Sequence, residues 1–224
     1  PTMRDELSRH GFRNISSWSR GVDTELFHPR RPDEPDLFEG LPRPIFLYVG
    51  RVAVEKNIDA FLGLDLPGSK VVVGDGPQKE ELAAKHPGVV FTGFKSGAEL
   101  AAHYACADVF VFPSLTDTFG LVILEAMATG TPVAAYPAPG PIDIIPGSGA
   151  GVLAKSATEG LREACLECLT LDRGKVRAFA ETFSWRNCAE DFLRNLQPYP
   201  EQEKTRFWRR LRRLARVRRR PKAA

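Results

Sequence analysis

Arg51 and Lys56 are the first residues whose types and spacing suggest chemistry, because they directly follow an apolar run of strand length. They lie in the segment G-R-V-A-V-E-K-N, residues 50–57, ahead of a helical pattern. An arginine can donate two hydrogen bonds to one phosphate and a lysine supplies a compact positive charge, so the pair could hold a diphosphate near the start of that helix. An exposed charged loop explains these residues equally well, so the segment alone leaves both interpretations open.

Asp117 and Glu125 flank the start of another predicted helix, into which small polar residues and Gly120 lead. No basic residue is near them in sequence, so the two carboxylates could bracket one ligand and accept hydrogen bonds from its hydroxyl groups. The helical period predicts that Leu121 and Leu124 share the buried face, with Glu125 one turn beyond Leu121 and near the ligand. The positive end of the helix dipole explains an acid at Asp117 without any ligand, but it explains Glu125 less well.

Gly74 and Gly76 follow a second strand-like run, in the segment G-D-G-P at residues 74–77. Glycines at this place allow backbone to approach a ligand closely, and Pro77 suits the first turn of a helix. Lys79 stands where the dinucleotide fingerprint has its third glycine, so that fingerprint is not met. A plain tight turn is therefore the stronger interpretation of this segment.

A fourth segment, residues 137–151, has proline or glycine at eight of its fifteen positions. Such a segment could be a flexible loop that closes over a ligand. An irregular connection between two strands explains the composition nearly as well.

The four cysteines do not indicate a metal site. Cys165 and Cys168 form a C-x-x-C inside a helical pattern, and no second pair of Cys or His residues supplies further zinc ligands. Small buried thiols on an apolar helix face are the expected interpretation. We therefore expect no metal and no redox chemistry here.

Apolar runs of strand length alternate with helical patterns, which predicts a doubly wound α/β fold, a Rossmann-like parallel sheet followed by C-terminal helices. The strand runs are nearly all apolar, as in sheets covered on both faces, and ligands of such sheets bind at the carboxyl ends of the strands. The predicted strands are residues 45–49, 70–73, 89–91, 109–112, 132–136 and 151–153. The predicted helices are residues 57–64, 78–85, 98–105, 120–129, 161–171 and 176–182, and one from residue 184 that carries an apolar stripe up to Leu196.

Charge is unevenly distributed along the 224 residues. Eleven of the 31 Lys and Arg residues lie within residues 204–222, where no acid occurs, so residues 1–203 hold 20 basic against 28 acidic residues. The acidic body excludes a nucleic-acid surface of its own and would oppose nucleic acid at the tail. The tail has apolar residues on one helical face among arginines, so it could lie on an anionic membrane, or it could be solvated and disordered. No apolar run is long enough for a membrane span, and we expect a cytoplasmic protein, with a peripheral place at the inner membrane if the tail binds lipid.

Four segments occur in order along the chain: R-G-V-D-T-E-L-F-H-P at residues 20–29, G-R-V-A-V-E-K-N at 50–57, G-D-G-P at 74–77 and F-P-S-L-T-D-T-F-G-L-V-I-L-E-A-M-A at 112–128. Together they resemble the retaining glycosyltransferases of family 4, over about residues 1–197. The resemblance implies the C-terminal, donor-binding half of the two-domain GT-B architecture. It also implies transfer of a sugar from a GDP- or UDP-linked donor to a lipid or glycan, with no cofactor and no metal.

The resemblance also implies residue roles. As catalytic residues, Arg51 and Lys56 would hold the donor diphosphate and stabilise the charge of the leaving group, and Asp117 would face the donor sugar. Glu125 would bind the ribose hydroxyls, and Phe94 and Lys95 would lie at the edge that binds the base. The expected donor-binding residues are Gly50, Gly74, Gly76, Phe94, Lys95, Phe119, Gly120, Leu121, Val122 and Glu125.

The sequence departs from the family pattern in two places. Asp117 is one methylene shorter than the usual Glu, and A-P-G-P-I-D at residues 138–143 replaces the usual G-G-x-P-E. The domains expected are an inter-domain linker at residues 1–40, a nucleotide-sugar-binding domain with a crossover helix at 41–198, and a basic amphipathic tail at 199–224. The acceptor site would lie in an N-terminal domain that precedes this sequence, without which the chain would be inactive.

Two other functions remain open from the sequence. A nucleotide-sugar 2-epimerase shares the architecture and would release nucleotide without any acceptor. A non-catalytic module that binds membranes through the basic tail is the alternative from another class of protein.

Overall fold

A six-stranded, all-parallel sheet forms the centre of the protein. The computed structural model describes residues 2–117 and 119–196, so the predicted basic tail lies outside the described residues. The strands are β1 (Ile45–Val49), β2 (Ser69–Val73), β3 (Val90–Gly93), β4 (Val109–Phe112), β5 (Val133–Ala135) and β6 (Gly151–Leu153). Their order is β3-β2-β1-β4-β5-β6. This order is that of doubly wound, Rossmann-like folds, so the predicted fold class is confirmed.

Helices connect the strands and continue beyond the sheet. They are α1 (Thr2–Arg9), α2 (Ile58–Leu62), α3 (Lys79–Lys85), α4 (Gly97–Cys106), α5 (Leu121–Ala128), α6 (Pro139–Ile144), α7 (Leu161–Cys168), α8 (Arg173–Ala180) and α9 (Trp185–Asn195), with a short 3-10 helix at Val54–Lys56. Each helix formed by the described residues is too short or too polar to cross a lipid bilayer.

Both faces of the sheet are buried, which is why its strands read as continuous apolar runs. On one face Leu47 and Phe110 lie in a cluster with apolar residues of α4, α5 and α8. On the other face Phe46 and Val111 contact a second cluster that includes residues of α2 and α7. The direction of winding reverses between β1 and β4, and the carboxyl ends of these two strands therefore border the crevice where such folds bind ligands.

Residues 137–151 are not one irregular loop, because they contain the helix α6. Pro139 and Pro141 both fall in its first turn, where amides have no intrahelical acceptor, so the missing N–H groups weaken nothing. The amide of Gly140 donates to the carbonyl of Asp117 at 3.1 Å. The segment that could have been a mobile lid is thus a short helix fixed to the loop after β4.

The segment before the sheet is attached to the core. Turn formers dominate residues 1–44, yet the structure has α1, which contacts α6. Phe27 and Phe38 are buried in the same cluster as Leu47. Arg177 of α8 donates hydrogen bonds to the carbonyl of Phe27 at 2.6 Å. The assignment of residues 1–40 as a linker stays a prediction, but this segment is not detached from the sheet.

Residues 18–22, which we call the strap, run beside the start of α9. Val22 donates from its amide to the carbonyl of Phe183 at 2.8 Å, just before that helix. The apolar stripe predicted on α9 is largely uncovered by the described residues, since Trp185 is 51% exposed and Leu196 is 54% exposed. Cys188, on the same stripe, is buried.

Candidate functional site

A cavity of about 380 Å³ opens at the carboxyl ends of β1 and β4, where the winding of the sheet reverses. Below it is called the main cavity. It brings together eight residues that were expected to bind one ligand: Gly50, Arg51, Lys56, Asp117, Phe119, Gly120, Leu121 and Val122. The two segments that supply them are far apart in sequence, and the parallel sheet places them at one edge.

A second, smaller cavity of about 270 Å³ lies beside the first, at the ends of β1, β2 and β3. It is lined by Gly74, Phe94 and Lys95, and it shares Gly50 and Arg51 with the main cavity. The ring of Phe94 is 74% exposed, which leaves an aromatic face available for stacking. The two cavities thus form one elongated depression across four strand ends, those of β1, β2, β3 and β4.

Lys56 and Asp117 form an ion pair across the main cavity. The Nζ of Lys56 lies 2.7 Å from Oδ2 of Asp117, and both side chains are about one quarter exposed. No local sequence pattern assigns this cation to Asp117, because Lys56 precedes it by 61 positions. In this structure the two expected ligand-binding groups therefore neutralise each other.

Tyr48 fixes the loop that carries Arg51. Its hydroxyl donates to the backbone carbonyl of Arg51 at 2.9 Å, and burial, with Asp117 and Glu55 nearby, raises the pKa of this phenol. A Cβ at Gly50, where φ is +150°, would lie 2.8 Å from that hydroxyl oxygen. Tyr48 was not predicted as a site residue, although a tyrosine in an otherwise apolar strand, three residues before Arg51, was a signal for it.

The side chain of Arg51 points to a more exposed environment than Lys56. Its guanidinium lies 3.3 Å from the carboxylate of Glu55, and about two thirds of the side chain is exposed. Such a contact is weak in water, so Arg51 can exchange it for a ligand phosphate at little cost.

Gly74 and Gly76 have a structural reason to be glycines, because the segment that contains them packs closely against the backbone of residues 50–52. A Cβ at Gly74 would lie 1.9 Å from the carbonyl oxygen of Gly50, and one at Gly76 would lie 2.3 Å from that of Val52. The amide of Val52 also donates to the carbonyl of Asp75 at 2.9 Å. Gly74 lines the smaller cavity, whereas Gly76 lines neither of the two cavities.

Glu125 lies one turn into α5 and does not line either cavity. Its carboxylate accepts a hydrogen bond from the hydroxyl of the fully buried Tyr104 at 3.1 Å. Burial raises the pKa of Glu125, and the hydrogen bond from Tyr104 partly opposes this effect. Leu121, predicted to be buried, is 41% exposed and faces the main cavity instead.

The start of α5 offers backbone donors to the main cavity. Gly120 precedes the helix with a φ of +80°, a conformation that favours glycine. The first amides of a helix have no intrahelical acceptor, and they carry the positive end of its dipole. Leu121 and Val122, at these positions, line the cavity.

Two further polar residues of the main cavity were not predicted as site residues. Arg20 lines it from the strap, and Ser114 lines it from the loop after β4. The hydroxyl of Ser114 is buried and has no hydrogen-bond partner in the described structure. Both residues lie in segments that resemble family motifs, and this resemblance could have identified them as candidate site residues.

In the part of the chain that the structure describes, no three His, Cys, Asp or Glu side chains lie close enough together to bind a metal ion. Cys165 and Cys168 are both buried in α7, and burial raises the pKa of each thiol.

Residues 43–171 match the protein family described as Glycosyl transferases group 1. The chain is similar to sulfoquinovosyl transferase SQD2 of Arabidopsis thaliana, with 41% identity over 199 residues, which are 80% of this chain and 39% of that protein. It is similar to a GDP-mannose-dependent alpha-mannosyltransferase of Corynebacterium glutamicum, with 40% identity over 63% of this chain and 35% of that protein. The chain therefore spans less than half the length of either relative.

Among solved structures, the fold resembles that of HepE from Anabaena in complex with UDP. The TM-score is 0.64 at 22% sequence identity, and the match covers 78% of this chain and 55% of that chain. At this identity the likeness concerns the fold alone.

Proposed function

The chain belongs to the glycosyl transferases group 1 family, and we propose that it is the donor-binding domain of a retaining glycosyltransferase of family 4. The donor would be a nucleoside diphosphate sugar. The observation that carries this proposal is the main cavity, which joins Arg51 and Lys56 to Asp117 and the start of α5 at one edge of the sheet.

The diphosphate fits the cationic side of the main cavity. Arg51 can donate two hydrogen bonds to one phosphate, while Lys56 supplies a point charge and the first amides of α5 supply further donors. When the bond to the sugar breaks, negative charge grows on the terminal phosphate. The same preorganised donors would stabilise that charge without a metal ion. In the role proposed for Asp117, its carboxylate accepts hydrogen bonds from hydroxyl groups of the sugar.

The nucleoside fits the smaller cavity. Phe94 offers an exposed ring face and Lys95 a cation beside it, as a stacked base with polar edges requires. Glu125 is still proposed to bind the ribose hydroxyls. For this role its carboxylate must move to within hydrogen-bond distance of a ligand in the depression. The relative from Corynebacterium glutamicum is named for GDP-mannose and the solved structure of HepE is a complex with UDP, so both bases belong in the test.

The acceptor site is proposed to lie in an N-terminal domain of the same protein. The chain spans 39% and 35% of the two relatives, so most of each relative has no counterpart here. The acceptor would be a lipid or a glycan, and the basic tail, residues 199–224, would bring the enzyme to an anionic membrane surface on the cytoplasmic side. The two relatives are transferases by name, which favours transfer over the 2-epimerase and over a non-catalytic membrane module.

Isothermal titration calorimetry with the full chain tests the donor proposal. The ligands are UDP, GDP, UDP-glucose and GDP-mannose, and the variants are Lys56→Ala and a matched control, Lys85→Ala. Lys85 also pairs with an aspartate, at 2.6 Å from Asp59, but it lies outside both cavities. We expect Lys56→Ala to weaken binding by about tenfold or more, because a hydrogen bond to a charged group contributes about 1.5–3 kcal/mol.

The control should bind as the wild type does. If the wild-type chain binds none of the four ligands, the proposal fails. Equal losses in the two variants would show that the effect is one of general charge and would remove the role of Lys56. With the complete protein, release of nucleotide in the absence of any acceptor, together with an epimerised sugar, would favour the 2-epimerase instead.

A further inference from the structure

Arg20 lies where the main cavity meets a third cavity of about 500 Å³. Arg20 and Phe119 line both of them. Phe119 adjoins the loop that carries Asp117, so Arg20 is at the end of the main cavity where the transferred sugar is proposed to lie. This arginine has no role in the function proposed above.

The backbone around Arg20 is held on α9 by several contacts within the strap. The indole of Trp18 donates to the carbonyl of Cys188 at 3.1 Å, and the thiol of Cys188 donates to the carbonyl of Ser19 at 3.1 Å. A Cβ at Gly21 would lie only 2.4 Å from the amide nitrogen of Trp185, so the strap and the helix start are in direct backbone contact. The position of Arg20 is therefore fixed before any ligand arrives.

The side chain of Arg20 is also held in place. Its guanidinium carbon lies over the ring of Trp18, 4.4 Å from the ring centroid. Stacking on an aromatic face uses the plane of the guanidinium and leaves the N–H groups at its edge free to donate. The edge is the part that recognises phosphate, sulfonate or carboxylate oxygens.

The charge balance of the main cavity singles out this arginine. Lys56 is paired with Asp117 and Arg51 with Glu55. Among the described residues, no carboxylate lies within ion-pair distance of Arg20. Of the three basic side chains that line the cavity, Arg20 is thus the one without an acid at its side in the part of the chain that is described.

A second observation points to a ligand in the same space. The Oγ of Ser114 is buried against the main cavity without a hydrogen-bond partner in the described structure. A buried hydroxyl without a partner is unfavourable, and a polar ligand atom would satisfy it. Counting only partners among the described residues, the cavity therefore has both a cation without an acid beside it and a hydroxyl without a hydrogen-bond partner.

We propose that Arg20 binds an oxyanion of the donor at the sugar end of the main cavity. The oxyanion is either the terminal phosphate or an acidic substituent of the transferred sugar. The inference rests on the proposed function in taking the donor to be a nucleoside diphosphate sugar. It adds a residue and a specificity that the diphosphate-binding pair Arg51 and Lys56 does not supply.

Calorimetry on the full chain with Arg20→Ala, Arg20→Lys and Arg20→Gln tests the proposal. Arg20→Gln keeps the aliphatic Cβ–Cγ–Cδ stem and a polar end without the charge, which guards against loss of the fold, and urea unfolding checks each variant. Arg186→Ala is the matched control, because it also removes one arginine charge, at the start of α9. The side chain of Arg186 is 87% exposed and lies outside the cavities. The probes are inorganic pyrophosphate, UDP, UDP-glucose, UDP-glucuronate and GDP-mannose.

We expect Arg20→Ala and Arg20→Gln to weaken binding of at least one oxyanion ligand by about tenfold or more, and Arg20→Lys to fall between, since a lysine cannot form the two-pronged contact. Weaker binding of pyrophosphate and UDP assigns the terminal phosphate. Weaker binding of UDP-glucuronate alone, with UDP-glucose unchanged, assigns the acidic substituent.

Wild-type affinity of Arg20→Ala for all probes would overturn the proposal, as would an equal loss in Arg186→Ala. In either case normal binding by the wild type would leave the proposed function standing. If the wild-type chain binds neither nucleotides nor pyrophosphate, the function and the role of Arg20 both fail.

Discussion

The ammonium group of Lys56 and the carboxylate of Asp117 are 2.7 Å apart, which joins the loop after β1 to the loop after β4. The pair spans the point where the winding of the sheet reverses. A ligand phosphate that binds Lys56 must therefore compete with the carboxylate of Asp117 for the ammonium group, or share that group with it. Asp117 then becomes free to accept hydrogen bonds from the rest of the ligand.

Asp117→Asn should strengthen the binding of bare UDP or GDP by up to about fivefold, because an ion pair of this kind contributes about 1 kcal/mol at most and its loss frees Lys56. The preference for a nucleotide sugar over the bare nucleotide should fall at the same time. Calorimetry measures both effects. Asp59→Asn, which removes the partner of Lys85, is the control and should change neither. Weaker binding of bare nucleotide by Asp117→Asn would contradict this account of the pair.

Tyr48→Phe should weaken nucleotide binding by about twofold to tenfold, the range that corresponds to one neutral hydrogen bond. The lost hydroxyl donates to the carbonyl of Arg51 and so fixes the loop that carries this arginine. Tyr136→Phe, directly after β5, is a matched control whose ring lies outside the main cavity. Calorimetry and thermal unfolding together separate the two variants. If both lose affinity equally, the effect is not specific to the Arg51 loop.

Gly140→Ala should destabilise the protein by about 1–3 kcal/mol, since overpacking of close contacts forces the backbone to move. The new methyl group would lie 2.5 Å from the carbonyl oxygen of Phe119. Urea unfolding gives the free energy of unfolding, and nucleotide affinity should fall as well because Phe119 lines the main cavity. Gly88→Ala is the control, as a methyl group there meets nothing within 4 Å. A stable Gly140→Ala protein would show that α6 is not fixed against the loop.

The free energy of unfolding of Glu125→Gln should exceed that of the wild type by a margin that grows as the pH increases. Burial raises the pKa of Glu125 above its ordinary value of 4.5, so the native state keeps this proton at a pH where the unfolded chain has lost it. The wild type therefore loses stability as the pH rises from about 4.5 through the raised pKa, whereas the glutamine variant does not.

Urea unfolding of both proteins at about pH 4 and about pH 8 measures this difference, which should be larger at the higher pH. Glu163→Gln, on an exposed face of α7, is the control and should show little pH-dependent difference. A difference between Glu125→Gln and the wild type that stays the same at the two pH values would contradict the assigned burial effect.

The sheet could be predicted from the sequence because its physical cause is visible there. Strands buried on both faces must be apolar at every position, and the runs at β1 and β4 had the bounds that the structure shows. Parallel strands then place their carboxyl ends at one edge. This was enough to expect Arg51, Lys56 and Asp117 at one edge, and the three residues do line one cavity. Their binding and catalytic roles stay predictions.

Contacts between loops could not be predicted in the same way. Asp117 finds its cation 61 positions away, and Gly76 faces the carbonyl of Val52 rather than a ligand. Such pairings depend on the distance between neighbouring strand ends, which no local pattern records. The prolines of α6 also indicated a loop, because composition does not reveal that they occupy the first turn of a helix.

Because the strap is held on α9, a fragment that keeps all the side chains of the main cavity in place must include that helix. A chain shortened to end before Ser184 would retain all six strands and every loop at their carboxyl ends. It would nevertheless release Trp18 and Arg20, whose anchors are the backbone of Trp185 and of Cys188. Truncation far from the sheet would thus remove the contact proposed between Arg20 and the donor oxyanion, while Arg51 and Lys56 keep their places at the strand ends.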